Sequence, residues 1–293
     1  MMYCQKVSII DRKKAYLTKT FLIVMGLCAA LSLSAQTTEN FVRKYNSLVS
    51  RVGYTGVGVE YLLDSWERAD STDINYMLAR FNYYMEKSQR DTVIVSRASR
   101  YIGMQPVMSL KDSSGRQVNY FNEVLYDERY YNRAMHMLDR AIVKNNARLD
   151  LYCTKAETMI AHDKYSAEAS SAFILKMIER HYKARTKWEH PGMSAAPDNK
   201  TFEDIILSYC FDYYRIGGNS CMEAFNNVST AMLKNKASDS AFMDNVGTYL
   251  FLVKKDYKKA AKMYSAALKK NPEDEVAKKN LELVKSRLSG KKR

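Results

Sequence analysis

Helix-breaking residues are scarce in this sequence, with only 11 Gly and 4 Pro in 293 positions. Long stretches therefore run uninterrupted, and a mainly helical chain is expected. Cysteine is scarce too. Apart from Cys4 and Cys28 near the start, only Cys153, Cys210 and Cys221 are present, without the paired spacing of a disulfide framework or a zinc site. Free buried thiols are expected, with a Cys210–Cys221 pair as the alternative in an oxidising compartment. His136, His162, His181 and His190 include no His-Glu-x-x-His run and no i, i+4 pair, so no metal site is expected. Gly53, Gly56 and Gly58 lack a following Lys-Ser or Lys-Thr and a leading apolar strand, which excludes a phosphate loop. The carboxylates of Glu203-Asp204 and of Asp239 with Asp244 have no converging second group. Neither an enzyme nor a cofactor is expected.

A long apolar run is missing as well. Phe21 to Leu33 falls short of the ~20 apolar residues that cross a bilayer. It follows a basic stretch (Lys6, Arg12, Lys13, Lys14, Lys19) and precedes the small-residue site Ser34-Ala35-Gln36. This is the pattern of a secretory signal, residues 1–35, cleaved after Ala35. Leu27 before Cys28 argues against a lipoprotein signal. Export to the periplasm or cell envelope, with no transmembrane span after cleavage, is the expectation.

Charge is unevenly spread. The formal net charge is +14, and removing the signal leaves +10. From Val253 onward 14 Lys or Arg face five acids, so Gln36 to Leu252 is nearly neutral. A general nucleic-acid binder is not expected.

What is present is a repeated spacing. On a helix, i, i+4 and i+7 share one face, and small or aromatic residues there admit a second helix closely. Ala134, Leu138 and Ala141 form such a triplet, followed by Glu168, Ala172 and Leu175, by Ala224, Val228 and Ala231, and by Ala260, Tyr264 and Ala267. The offsets are 34, 56 and 36 residues, and Arg185 to Lys200, with Pro191, Gly192 and Pro197, reads as the loop that absorbs the long one. The last unit runs from Asn245-Val246-Gly247 through Asp256-Tyr257-Lys258-Lys259-Ala260, Tyr264 and Ala267 to Asn271-Pro272. It resembles a tetratricopeptide repeat, whose period is about 34 residues. It departs from that pattern in being one residue longer before Asp256-Tyr257 and in carrying Lys255 where a turn glycine is common. Glu168 also replaces a small residue in the second unit.

Before the first triplet, helices are predicted over Glu39–Val52, Val57–Arg68 and Asp73–Lys87, with Ser71-Thr72-Asp73 supplying caps. Phe81, Tyr84 and Met85 join Met77 and Leu78 on one face, as core. Thr92–Val95, Pro106–Leu110 and Gln117–Tyr120 read as strands, with Asp112-Ser113-Ser114-Gly115 as a hairpin turn. Trp66 to Tyr84, this hairpin and Leu149-Asp150-Leu151 together resemble a group of exported bacterial tetratricopeptide-repeat proteins.

The resemblance implies a mainly α fold, an α-solenoid of antiparallel helix pairs with a small β-hairpin insertion. The expected divisions are a signal (1–35), an N-terminal helical region (36–90), the insertion (91–126), helical repeats (127–290) and a basic tail (291–293). It also implies a non-catalytic scaffold that binds a protein or peptide on its concave face, which the first helix of each pair lines. Tyr152, Lys155, Asp244, Asn245 and Thr248 are the residues expected there. Lys258, Lys262 and Lys269 lie within ~40° of one another around a helix, opposite the Ala260 face. The alternative expectation is that this stripe binds an anionic envelope surface: an acidic glycan, lipid headgroups or an acidic protein.

Overall fold

A computed structural model describes residues 38–290. The expected signal segment with its cleavage site, and the tail 291–293, lie outside the described residues. The described chain is mainly helical, with eleven helices and one small antiparallel sheet. It divides into two compact units between Lys87 and Ser88.

In the first unit, α1 (residues 38–52), α2 (Val59–Asp70) and α3 (Ile74–Ser88) follow the predicted helices within two residues. Their core centres on Trp66. Its ring stacks on Phe41 at 5.4 Å and meets Tyr45 and Tyr76 edge-on, and its indole Nε1 donates to Asp73 Oδ2 at 2.9 Å. Asp73 Oδ1 also accepts from the Asn75 backbone N–H at 2.9 Å. The buried side of α3 carries Tyr76, Met77, Phe81 and Tyr83, whereas Leu78, Tyr84 and Met85 are half-buried. It also carries Arg80, only 3% exposed, whose guanidinium bonds Asp64 at 2.6 Å and Glu67 at 3.2 Å. The charge is tolerated because it is paired and lies against the Tyr76, Tyr83 and Tyr84 rings.

The second unit opens with β1 (Gln89–Ser96), β2 (Met108–Lys111) and β3 (Gln117–Tyr126), in spatial order β1-β3-β2. The strands pair antiparallel, with Thr92 opposite Glu123 and Leu110 opposite Val118. The predicted turn closes the β2–β3 hairpin: Asp112 N–H donates to the Arg116 carbonyl and Gly115 N–H to the Asp112 carbonyl, both at 2.8 Å. β3 runs six residues past its predicted end at Tyr120, and its alternation buries Asn119, Phe121 and Glu123 on one face. Glu123 is held by Lys164 Nζ at 3.0 Å and the Tyr165 hydroxyl at 3.3 Å, which ties the sheet to the following helices. Gly103, in the β1–β2 loop, has φ +71°, and a Cβ there would stand 1.7 Å from the Arg215 carbonyl oxygen. Only glycine fits that approach.

Eight helices follow: α4 (Glu128–Lys144), α5 (Leu149–His162), α6 (Glu168–Tyr182), α7 (Asn199–Ile216), α8 (Gly218–Lys234), α9 (Ala241–Leu252), α10 (Tyr257–Lys270) and α11 (Glu275–Gly290). Aspartates start several of them. Asp127, Asp198, Asp256 and Asp274 accept backbone N–H groups from the first turns of α4, α7, α10 and α11. Neighbours pack in sequence order within α4–α6 and within α7–α11. The alternate helices α5, α7, α9 and α11 also touch in series, and α6 touches α8. This packing is consistent with a helical repeat.

The first, third and fourth triplets face this packing. Ala134, Leu138, Ala141, Ala224, Val228, Ala260, Tyr264 and Ala267 are buried, and Ala231 is partly so. The second triplet is corrected. Glu168 and Ala172 are exposed and Leu175 is half-buried, while Ser170, Ile174 and Met177, at the same spacing two residues on, are fully buried. Serine serves as the small residue because the Tyr213 hydroxyl donates to its Oγ at 2.9 Å.

The stretch between α6 and α7 is irregular, as expected, yet anchored. Trp188 is 2% exposed, wedged edge-on against Tyr152 at 5.1 Å, and its Nε1 donates to His181 Nδ1 at 3.1 Å.

Candidate binding groove

α7, α9 and α11 line a groove of about 430 Å³ whose floor includes Phe225 of α8 and Tyr264 of α10. Its walls are mostly apolar: Leu207, Phe211 and Tyr214 from α7, Phe251 and Leu252 from α9, and Val276 and Leu283 from α11. Phe211 and Val276 are 63% and 61% exposed, and Tyr214, Leu252 and Leu283 are exposed as well. The polar members are Asp244, Asn245, Thr248 and Asn280.

Three of the expected concave-face residues, Asp244, Asn245 and Thr248, come together here. Asn245 Nδ2 donates to Ser229 Oγ at 3.1 Å, and the Thr248 and Tyr264 hydroxyls are 3.0 Å apart. These contacts fix the polar strip of α9 to the helices below it. Gly247, on the same helix, lets Tyr264 approach: a Cβ at Gly247 would lie 2.9 Å from that ring.

Asp244 differs from its neighbours. It is 6% exposed, and its Oδ1 is buried with no hydrogen-bond partner. Burial, reinforced by Asp274 and then Asp239, pushes its carboxyl up to about 8. Asp274 is occupied as a cap, accepting from the Val276 N–H at 3.1 Å, the Ala277 N–H at 3.0 Å and the Ser240 hydroxyl at 3.1 Å. Among the described residues, no Lys or Arg lines the groove.

The other two expected residues sit elsewhere. Tyr152 is corrected to a core position: it is 5% exposed, stacks on Phe173 at 5.9 Å, and its hydroxyl donates to the Asn146 carbonyl at 3.3 Å. Lys155 is engaged with Asp139 and lies 5.0 Å over the Phe173 ring. Neither lines the groove. Lys258, Lys262 and Lys269 are all exposed on α10, on the side away from buried Ala260, Tyr264 and Ala267. The groove's exposed apolar side chains were not read from the sequence, because an aromatic or leucine at helical spacing carries no mark distinguishing a core face from an open one. Asn280 was the most accessible missed signal, standing 35 residues after Asn245.

The remaining candidate groups serve the fold. Cys153, Cys210 and Cys221 are free, and burial pushes the Cys210 thiol up to about 12, away from nucleophile chemistry. Glu203 accepts from Ser238 N–H at 2.8 Å, its hydroxyl at 2.7 Å and Asp239 N–H at 3.0 Å, holding the turn before α9. His162 stacks on Tyr131 at 3.8 Å between Glu128 and Asp163, and His181 stacks on Phe202 at 3.9 Å. Burial lowers the His181 pKa despite the Asn199 hydrogen bond. Among the described residues, no helix is long and apolar enough to cross a membrane, and no His, Cys, Asp or Glu cluster could hold a metal. No protein-family model matches the chain, and no curated protein matches it either.

Proposed function

We propose that this protein is an exported, non-catalytic scaffold of the tetratricopeptide-repeat type, which holds a protein or peptide segment in the groove of α7, α9 and α11. The observation that carries this reading is the line of exposed apolar side chains, Phe211, Tyr214, Leu252, Val276 and Leu283, converging on one polar strip. Contiguous apolar surface of this kind, rimmed by amides, marks interaction sites. Burying those side chains under a partner supplies the driving force, and Asn245 and Asn280 supply backbone-like hydrogen bonds. Residues 1–35 carry the export part of the proposal, and a reporter fused after Ala35 should leave the cytoplasm. The groove is tested with an array of short peptides of varied composition. Binding by the full chain should be lost in a Phe211→Ser/Leu283→Ser variant that keeps its helical circular dichroism. Equal binding by that variant would overturn the reading.

A second reading rests on the exposed line of Lys258, Lys262 and Lys269, which suits an anionic glycan, lipid headgroup or acidic protein. Such contacts weaken as the Debye length shrinks to ~8 Å near physiological salt. Anionic vesicles should bind the parent at low salt and should not bind a Lys258→Glu/Lys262→Glu/Lys269→Glu variant. Binding unaffected by the charge reversal would exclude the stripe.

A further inference from the structure

The groove contains a feature that general apolar capture does not explain. Among the described residues that line it, the single ionisable carboxyl is Asp244, which is buried among apolar walls and keeps an oxygen with no hydrogen-bond partner. A carboxylate in that position is costly unless it meets a cation or retains a proton. The neighbouring carboxylates add to the demand. Asp274, which caps α11, and Asp239, which pairs with Lys200 at 2.9 Å, both hold the pKa of the Asp244 carboxyl up, so an ionised Asp244 finds no compensating charge in either of them. Among the described residues no lysine or arginine lines the groove, although the chain as a whole is strongly basic. The site is complementary to a positive charge carried in by something else.

We infer that the groove selects a partner segment in which one lysine or arginine side chain is flanked by apolar residues, the cation settling on Asp244 while its neighbours cover Phe211, Leu252 and Leu283. This rests on the groove reading above and names the chemistry of the occupant. The aromatic rings of Tyr214 and Phe251 also line the groove, and aromatic faces suit the stem and head of a basic side chain. An acidic segment is disfavoured, because it would bring a carboxylate into a poorly solvated site that offers it no cation. Selectivity would thus come from a buried carboxyl that releases its proton to solvent when a cation takes its place.

Titration calorimetry of the full chain with N-acetylated, C-amidated probe peptides tests this. The probes are short leucine- and alanine-rich sequences identical except for one central residue: lysine, the uncharged isostere norleucine, or glutamate. A charge-assisted contact in this setting is worth about ten-fold or more in affinity. The lysine probe should therefore bind at least about ten-fold tighter than norleucine, with glutamate weakest. Asp244→Asn should bring the lysine and norleucine affinities together while leaving the norleucine affinity in place. Equal binding of lysine and norleucine by the parent, or a lysine preference that survives Asp244→Asn, would overturn the inference. If both probes still weaken in Phe211→Ser/Leu283→Ser, the groove reading survives that failure; if no probe binds, both fall. A norleucine probe with a free N-terminus that matches the lysine probe would also overturn it, by assigning the site to a terminal ammonium.

Discussion

Tyr264 and Gly247 are two halves of one contact, the ring filling the space that the missing Cβ leaves open. Tyr264 is 1% exposed, so Tyr264→Ala removes a buried ring and the Thr248 hydrogen bond together. It should cost ~3–5 kcal/mol in denaturant unfolding. Gly247→Ala should also destabilise the parent, yet cost much less in the Tyr264→Ala background, where the ring is gone. Additive effects would show that the two residues do not share a contact. Asp244 gives a pH signature. With its folded pKa raised from 3.8 to about 8, the folded chain binds the proton more tightly than the unfolded chain. That advantage is full below the unfolded value, shrinks as pH rises between the two, and is lost above about 8. Asp274, Asp239 and the Tyr264 hydroxyl are the titratable groups that couple to it. Asp244→Asn should melt close to the parent near pH 4, then increasingly above it up to pH 9. A constant difference across that range would place Asp244 in contact with water.

The turn between α9 and α10 closes with the Asp256 N–H donating back to the Leu250 carbonyl at 3.0 Å, and Lys255 takes the left-handed conformation at φ +54°. Glycine takes that conformation without the Cβ penalty that a lysine carries. Lys255→Gly should stabilise by up to ~1 kcal/mol, the relief of left-handed strain less the extra freedom of unfolded glycine. A loss of stability would mean that the lysine side chain holds the turn. At Gly103 the sign reverses. Gly103→Ala meets the Arg215 carbonyl and should cost about 2 kcal/mol or more, exposing the loop to proteolysis; an unchanged cleavage pattern would contradict that packing. Helix bounds and the Asp112 turn were legible in the sequence because periodicity and local turn chemistry are local properties. The α6 face was misread by two residues because Ala172 and Leu175 offered the expected spacing from Glu168, whereas the small residue at the contact is Ser170, its hydroxyl satisfied by a tyrosine 43 positions away. Arg80 and Trp188 were not legible as core: partners on other segments decide their burial, and composition places arginines and loops outside.

From α4 onward, the alternate helices α4, α6, α8 and α10 each bury a small residue at one recurring spacing, and the open side of α7, α9 and α11 remains apolar without a partner among the described residues. Spacing along first helices was enough to mark Asp244, Asn245 and Thr248, since they lie on the same turns as Gly247. It failed for Tyr152, whose ring is claimed by Phe173 and Trp188 of a neighbouring helix and loop. Charge follows the same division, with a groove that holds one acid and a lysine line on the far side of α10. A partner segment and an anionic surface would therefore occupy different faces without competing, and salt dependence distinguishes the two. Methyl NMR of the full chain titrated with the lysine-containing apolar peptide reads the groove itself. The methyl signals of Leu207, Leu252, Val276 and Leu283 should shift together and saturate, with those of buried Leu138 and Ile174 unchanged. Saturable binding that leaves the methyl signals of these four residues in place would contradict a scaffold that works through this face.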